Sequence, residues 1–190
     1  MMELAAILRF FSVLFGVIGS MRGWVRELQV TASAVLGMFI IEKIGPWLEV
    51  VIQDRATAAN VINELGTVSP RIVTLKAALL LIVVFFGYQG PVVIQSLSKG
   101  RANTNRLAES RRDNILGFAV GLLNGYLIVG AMWWYLHTGG YPFEWVVDPA
   151  TFTDSMSLEA VKFLPQSILI SPWLEILTAA FFLAVLIVVI

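Results

Sequence analysis

Met21-Arg22-Gly23-Trp24-Val25-Arg26-Glu27 is the stretch from which the rest of this chain takes its sense. Apolar runs flank it, Leu4 to Ser20 before and Val30 to Ile41 after. Two arginines, a glutamate and a glycine between greasy segments predict a short polar hairpin at a membrane surface. Gly23 permits a tight reversal, because glycine tolerates backbone angles other residues avoid. Trp24 suits the headgroup zone, where an amphipathic ring gains from both phases. Arg22 and Arg26 stand one helical turn apart, so on a single helix they share a face and can hold lipid phosphates or a partner, with Glu27 beside them.

Composition agrees with a membrane setting. The 190 residues are 58% hydrophobic and 14% charged, with a mean hydropathy of +0.82. Soluble domains run at about 45–50% apolar and about 25% charged, so a water-soluble core is the wrong picture. A formal net charge of zero argues against a nucleic-acid partner. Cysteine is absent, which excludes disulfides, thiolate metal sites and thiol catalysis. The first apolar run lacks a basic leader and an Ala-x-Ala cleavage site, so it is read as a first membrane helix rather than a secretory signal.

Leu4 to Ser20 makes roughly 25 Å of helix, enough for a thin bilayer. Arg9 within it can snorkel to the outer interface. Val30 to Ile41 predicts a second, short helix with a small-residue face at Thr31, Ser33, Ala34 and Gly37, ending at Glu42-Lys43. Gly45-Pro46 then breaks the pattern. Trp47, Val50, Val51, Ala58, Val61, Ile62 and Leu65 recur at helical spacing among polar residues, predicting a separate amphipathic helix from Pro46 to Leu65 lying along the interface.

Ser69-Pro70 is a cap-and-proline start for a third span, Ile72 to Ile94, with a kink expected around Gly87 and Pro91. The basic stretch Lys99, Arg101, Arg106, Arg111 and Arg112 has the composition of a cytoplasmic loop. Ile115 to Leu136 gives about 33 Å of apolar helix. Gly117, Gly121 and Gly125 repeat along one of its faces, so another helix, from this chain or a neighbour, packs closely there. Trp133, Trp134, Tyr135, Tyr141, Phe143 and Trp145 read as an aromatic belt at one interface. An acidic outer segment follows, with a short helix ending before Pro165, and Trp173 to Ile190 is a final apolar run. An ion pair between Arg9 and Glu175 is one reading of the charges near the outer helix ends. By the positive-inside rule, the first and third loops are cytoplasmic. The expected fold is an all-α integral membrane protein of about five transmembrane helices plus one amphipathic interfacial helix, N-out and C-in.

Two motifs carry a resemblance. Met21-Arg22-Gly23-Trp24-Val25-Arg26-Glu27-Leu28 is similar to the first-loop signature of the colicin V production protein (CvpA) family. Asp113-Asn114-Ile115-Leu116-Gly117, with Gly121, Gly125 and Leu127-Ile128-Val129, resembles that family's last shared helix. The likeness covers roughly Leu4 to His137. Members often carry an aspartate early in the first helix and an arginine before the glycine matching Gly125. This chain has Ala5 and Ala6 in the first place and Asn124 in the second, and so puts no charge at either. The resemblance implies a four-helix membrane domain over residues 1–137, extended by an outer segment and fifth helix over 138–190. It also implies a non-catalytic protein of the bacterial inner membrane, associated with colicin V production or export and with envelope maintenance.

Other functional readings are weighed residue by residue. His137 is the only histidine. It is a candidate ligand for haem iron or a bacteriochlorophyll magnesium, but more simply an interfacial residue closing a helix. No cofactor is expected. No Gly-x-Ser-x-Gly, His-Glu-x-x-His or phosphate-binding loop occurs. The expected partners are membrane lipids and other membrane subunits or further copies of this chain. An accessory or assembly subunit of a respiratory or photosynthetic complex is the alternative. A small oligomeric transporter is the third reading, set back by the lack of a mid-membrane carboxylate.

Overall fold

The computed structural model describes residues 4–58, 70–97, 106–146, 148 and 155–189. Among these residues the chain is all helix: α1 (Leu4–Arg22), α2 (Trp24–Ala58), α3 (Pro70–Leu97), α4 (Arg106–Thr138), α5 (Ser155–Val161), α6 (Pro165–Ile168) and α7 (Trp173–Val189). Among the described residues, three stretches are long and apolar enough to cross a membrane: Leu4–Arg22, Pro70–Gln89 and Arg112–Thr138. The first two helices are joined by one residue. Gly23 sits at φ +87°, a backbone region closed to most side chains, and the chain reverses there without a loop.

Proline does not divide α2. The structure replaces the expected short helix and separate Pro46–Leu65 interfacial helix with one rod through Pro46 to Ala58; residues 59–65 lie outside the described residues. Pro46 removes only its own donor to the carbonyl of Glu42. The helix is fastened on either side of that gap. Lys43 Nζ reaches Glu175 Oε1 on α7 at 2.5 Å, and Lys76 Nζ on α3 reaches Glu49 Oε1 at 2.5 Å. Glu175 therefore pairs with Lys43, not with Arg9, whose position is exposed. α3 likewise runs on through Pro91 to Leu97.

The basic stretch is also more helical than expected. Arg106, Arg111 and Arg112 belong to the first turns of α4 rather than to a loop, while Lys99 and Arg101 lie outside the described residues. No glycine or proline stands between Arg106 and Gly117 to stop the helix, and Arg, Leu, Ala and Glu favour it.

The core sits where α2, α3 and α4 meet. Val30, Ala34, Met38, Leu80, Ile128 and Ala131 are all buried there, and Leu174 of α7 joins them. A second cluster lies at the far end of α4, where Ala5, Trp133, Tyr141, Val161 and Leu164 pack together. The aromatic belt is thereby divided. Trp133, Tyr135 and Tyr141 are core residues, whereas Trp145 is exposed. Burying an indole or phenol ring removes more apolar surface from solvent than an interfacial position does, provided its polar tip is satisfied. For Trp133 and Tyr141 it is, since Trp133 Nε1 donates to Tyr141 Oη at 3.1 Å.

Candidate functional site

The α1–α4 contact is built from glycines on both sides. A Cβ added at Gly125 would lie 2.6 Å from the Cα of Ser12, and one at Gly121 would lie 3.0 Å from the Cα of Gly16. A Cβ at Gly19 would in turn come 3.0 Å from the Cα of Gly121. These are backbone atoms, which cannot rotate away as a side chain would. The partner of the Gly117–Gly121–Gly125 face is thus α1 of the same chain. Such close approach gives dispersion contact between backbones where lipid offers no hydrophobic drive for association.

Beside this contact lies a buried polar cluster that joins four helices. Glu27 of α2 is wholly buried, with its side chain 0% exposed. Arg22 Nη1, from the end of α1, meets Glu27 Oε1 at 3.2 Å. Arg22 Nη2 donates to the backbone carbonyl of Tyr88 on α3 at 3.2 Å, and the guanidinium lies 4.2 Å from the centre of the Tyr88 ring. From α4, Asn124 Nδ2 donates to Glu27 Oε2 at 2.8 Å and to the Glu27 carbonyl at 3.0 Å. The Thr31 hydroxyl lies 2.7 Å from Asn124 Oδ1 and 3.0 Å from the Glu27 carbonyl, so its single proton serves one or the other.

The geometry differs from the hairpin reading in a specific way. Gly23 splits Arg22 from Arg26 between two helices, so the two do not share a face. Arg22 turns inward to the carboxylate and Arg26 stays partly exposed. Glu27, taken for a surface residue, is inside the bundle because a neutralising guanidinium and an amide donor are there to receive it. Trp24 lies at the rim, its Nε1 donating to Asp113 Oδ1 on α4 at 3.1 Å. That bond puts the hairpin and the arginine-rich start of α4 at the same end of the molecule. The signal available for Asn124 was its polarity within an apolar span, a mark of a structural or functional contact in membranes.

At the opposite end, the Tyr141 hydroxyl receives the Trp133 N–H and lies 3.3 Å from His137 Nδ1. The ring of His137 is exposed and stands edge-on to Tyr141. Burial pushes the Tyr141 hydroxyl above its ordinary value of 10.0. The Trp133 donor opposes this, and the charge of Asp148 adds to it. α5 and α6 fold back over this end: the Ala5 N–H donates to Ser157 Oγ, the Tyr126 hydroxyl donates to the Phe163 carbonyl, and Pro165 abuts Gly130.

Chemically, the Arg22–Glu27–Asn124 cluster is a lock. Both oxygens of its carboxylate are engaged by donors on other helices. Among the described residues, no group of three or more His, Asp or Glu side chains is placed to hold a metal ion.

No curated protein and no solved structure matches the chain. The family match is of another order. The profile of the Colicin V production protein family covers residues 5–166, from the start of α1 into α6, and so takes in the hairpin, the glycine contact and the buried cluster. The chain belongs to the colicin V production protein family and is a multi-pass protein of the bacterial inner membrane.

Proposed function

We propose that this chain is a non-catalytic membrane scaffold, acting in colicin V production or export, or more generally in envelope maintenance, through contacts with other proteins. The observation that carries this reading is the buried Arg22–Glu27–Asn124 lock, which ties α1, α2, α3 and α4 into one body. A carboxylate held on both oxygens orders helices and offers no reacting group. In this reading α1, α2, α3, α4 and α7 all cross the bilayer. The hairpin and the basic start of α4 face the cytoplasm, and the N-terminus and the 138–170 segment face outward. Trp24 and Arg26 at the hairpin rim, with Arg106, Arg111 and Arg112, then meet anionic headgroups or a cytoplasmic partner. Residues 138–190 form an extension that braces the four-helix domain.

A second reading, an accessory subunit of a larger energy-transducing complex, draws on one feature. Phe163, Ile168 and Ile170 stand exposed on the outer segment, 66%, 54% and 60% open. An apolar rim of that kind suits docking against another subunit. Purification from native membranes in mild detergent separates the two. Recovery as a monomer or homo-oligomer, or with export and envelope proteins, supports the scaffold. Fixed stoichiometry with cofactor-bearing subunits replaces it with the accessory role. Ion flux in liposomes holding this protein alone would overturn both in favour of a transporter.

A further inference from the structure

A long apolar groove runs between α2, α3 and α7, with a volume of about 890 Å³. Leu36, Phe39, Ile40, Val83, Phe86 and Phe181 form its walls, and Ala32 and Ala179 leave its sides low. One end is marked by Gln29 and Gly87, the other by Lys43 and Glu175. Along α2, Gln29 to Lys43 is about 21 Å, against roughly 15 Å of hydrocarbon in one leaflet.

Size decides what class of molecule fits. Sites for single small ligands run at roughly 300–1,000 Å³. The mouth decides which one. Lys43 Nζ stands 2.5 Å from Glu175 Oε1 and 3.7 Å from Glu42 Oε1, so two carboxylates face one ammonium. The next charges along, Glu49 and Lys76, neutralise each other. An anionic headgroup would meet an excess of negative charge. A headgroup with a primary ammonium next to its phosphate can give the ammonium to Glu175 or Glu42 and the phosphate to Lys43.

The geometry points to a resident phospholipid of the phosphatidylethanolamine type, its headgroup at Lys43–Glu175 and its acyl chains laid along α2 towards Gln29. The lipid fills the groove that α7 leaves against α2 and α3. Leu174 holds the near side of α7 in place, since it is in the core with α2, α3 and α4, and the Thr178 hydroxyl, satisfied within α7 by the Leu174 carbonyl, asks nothing of the lipid.

The test is native mass spectrometry of the full chain released from nanodiscs of equal phosphatidylethanolamine and phosphatidylglycerol. One phosphatidylethanolamine per chain is expected to survive detergent stripping, favoured over phosphatidylglycerol by about tenfold. Ala179→Phe, and independently Ala32→Phe, should lower its retention by about tenfold while the melting temperature of the protein holds. Glu175→Gln should bring the two lipids to equal retention. Gln29→Leu should leave retention unchanged, because an acyl chain makes no hydrogen bond to that amide. No retained lipid, equal retention of both lipids by the unaltered chain, or retention indifferent to both phenylalanines overturns the assignment. Loss of the occupant in Gln29→Leu would also overturn it, in favour of a hydrogen-bonding occupant such as part of a partner helix.

Discussion

The Asn124 amide donates to the Glu27 carboxylate at 2.8 Å, in a place where neither residue is exposed to solvent at all. Burying a carboxylate is costly unless donors compensate it there. Asn124→Leu is therefore expected to destabilise the protein by about 2–4 kcal/mol. Asn124→Asp should be worse, since it adds a like charge. Combining Asn124→Leu with Glu27→Leu should recover little of the loss, because Arg22, mostly buried, is then left without its carboxylate. Unfolding in mild detergent, followed by circular dichroism, measures all of these. Equal stability of Asn124→Leu and the unaltered chain would mean that the bond carries no weight.

Arg22 makes three contacts that a lysine cannot make together: the Glu27 carboxylate, the Tyr88 carbonyl and the face of the Tyr88 ring. Arg22→Lys should cost about 1–3 kcal/mol. Arg26→Lys, four positions on, in α2 and partly exposed, should stay within about 0.5 kcal/mol of the parent. The contrast matters more than either value. If the two substitutions behaved alike, both arginines would be serving the membrane surface.

Two glycines should fail for different reasons. At Gly121 a side chain would meet the backbone of Phe15 and Gly16, so Gly121→Val must push α1 off α4. Loss of the folded protein, or proteolysis within α1, is the expected result. At Gly23 nothing lies within 4 Å, but the φ of +87° is strained for any other residue. Gly23→Ala should cost only about 1–2 kcal/mol. Expression level and melting temperature together tell displacement from strain.

The Tyr141 hydroxyl lies outside the membrane spans, and burial raises it above 10.0. Above that pH the unfolded chain gives up this proton while the folded one holds it, so the unfolded state binds fewer protons. Stability should then fall with rising pH from about 10 upward. Tyr141→Phe should remove this part of the slope and should leave Trp133 Nε1 without its acceptor, at a cost near 1 kcal/mol at neutral pH. Thermal melts of the two chains from pH 8 to 11 read both effects. Parallel curves across that range would show that Tyr141 makes no contribution to the slope.

Periodicity and composition are local quantities, and what was read from them is local too. The apolar runs from Leu4, Ile72 and Ile115 correspond to α1, α3 and α4, and α3 begins at the expected Pro70, while the expected cap Ser69 lies outside the described residues. Gly23 was legible as a reversal because glycine is the residue that permits a positive φ. The Met21–Leu28 and Asp113–Val129 motifs pointed to the family whose profile covers residues 5–166. Pro46 misled, because proline reports a missing hydrogen bond but not the contacts that α2 makes with α3 and α7 on either side of it. Trp133 and Tyr141 misled as well, since an interfacial ring and a buried, hydrogen-bonded one have the same sequence signature.

By itself, the sequence determined that this is a helical membrane protein without thiol chemistry, because hydropathy and residue content need no neighbours to be read. Only the tertiary structure decided that Glu27 goes inside and Arg26 does not, that Glu175 takes Lys43, and that the glycines of α4 meet α1. A charge is buried or exposed according to the donors that other helices bring to it, and those helices are far away in the chain. Asn124 lies 97 positions from Glu27, a distance that no local pattern spans.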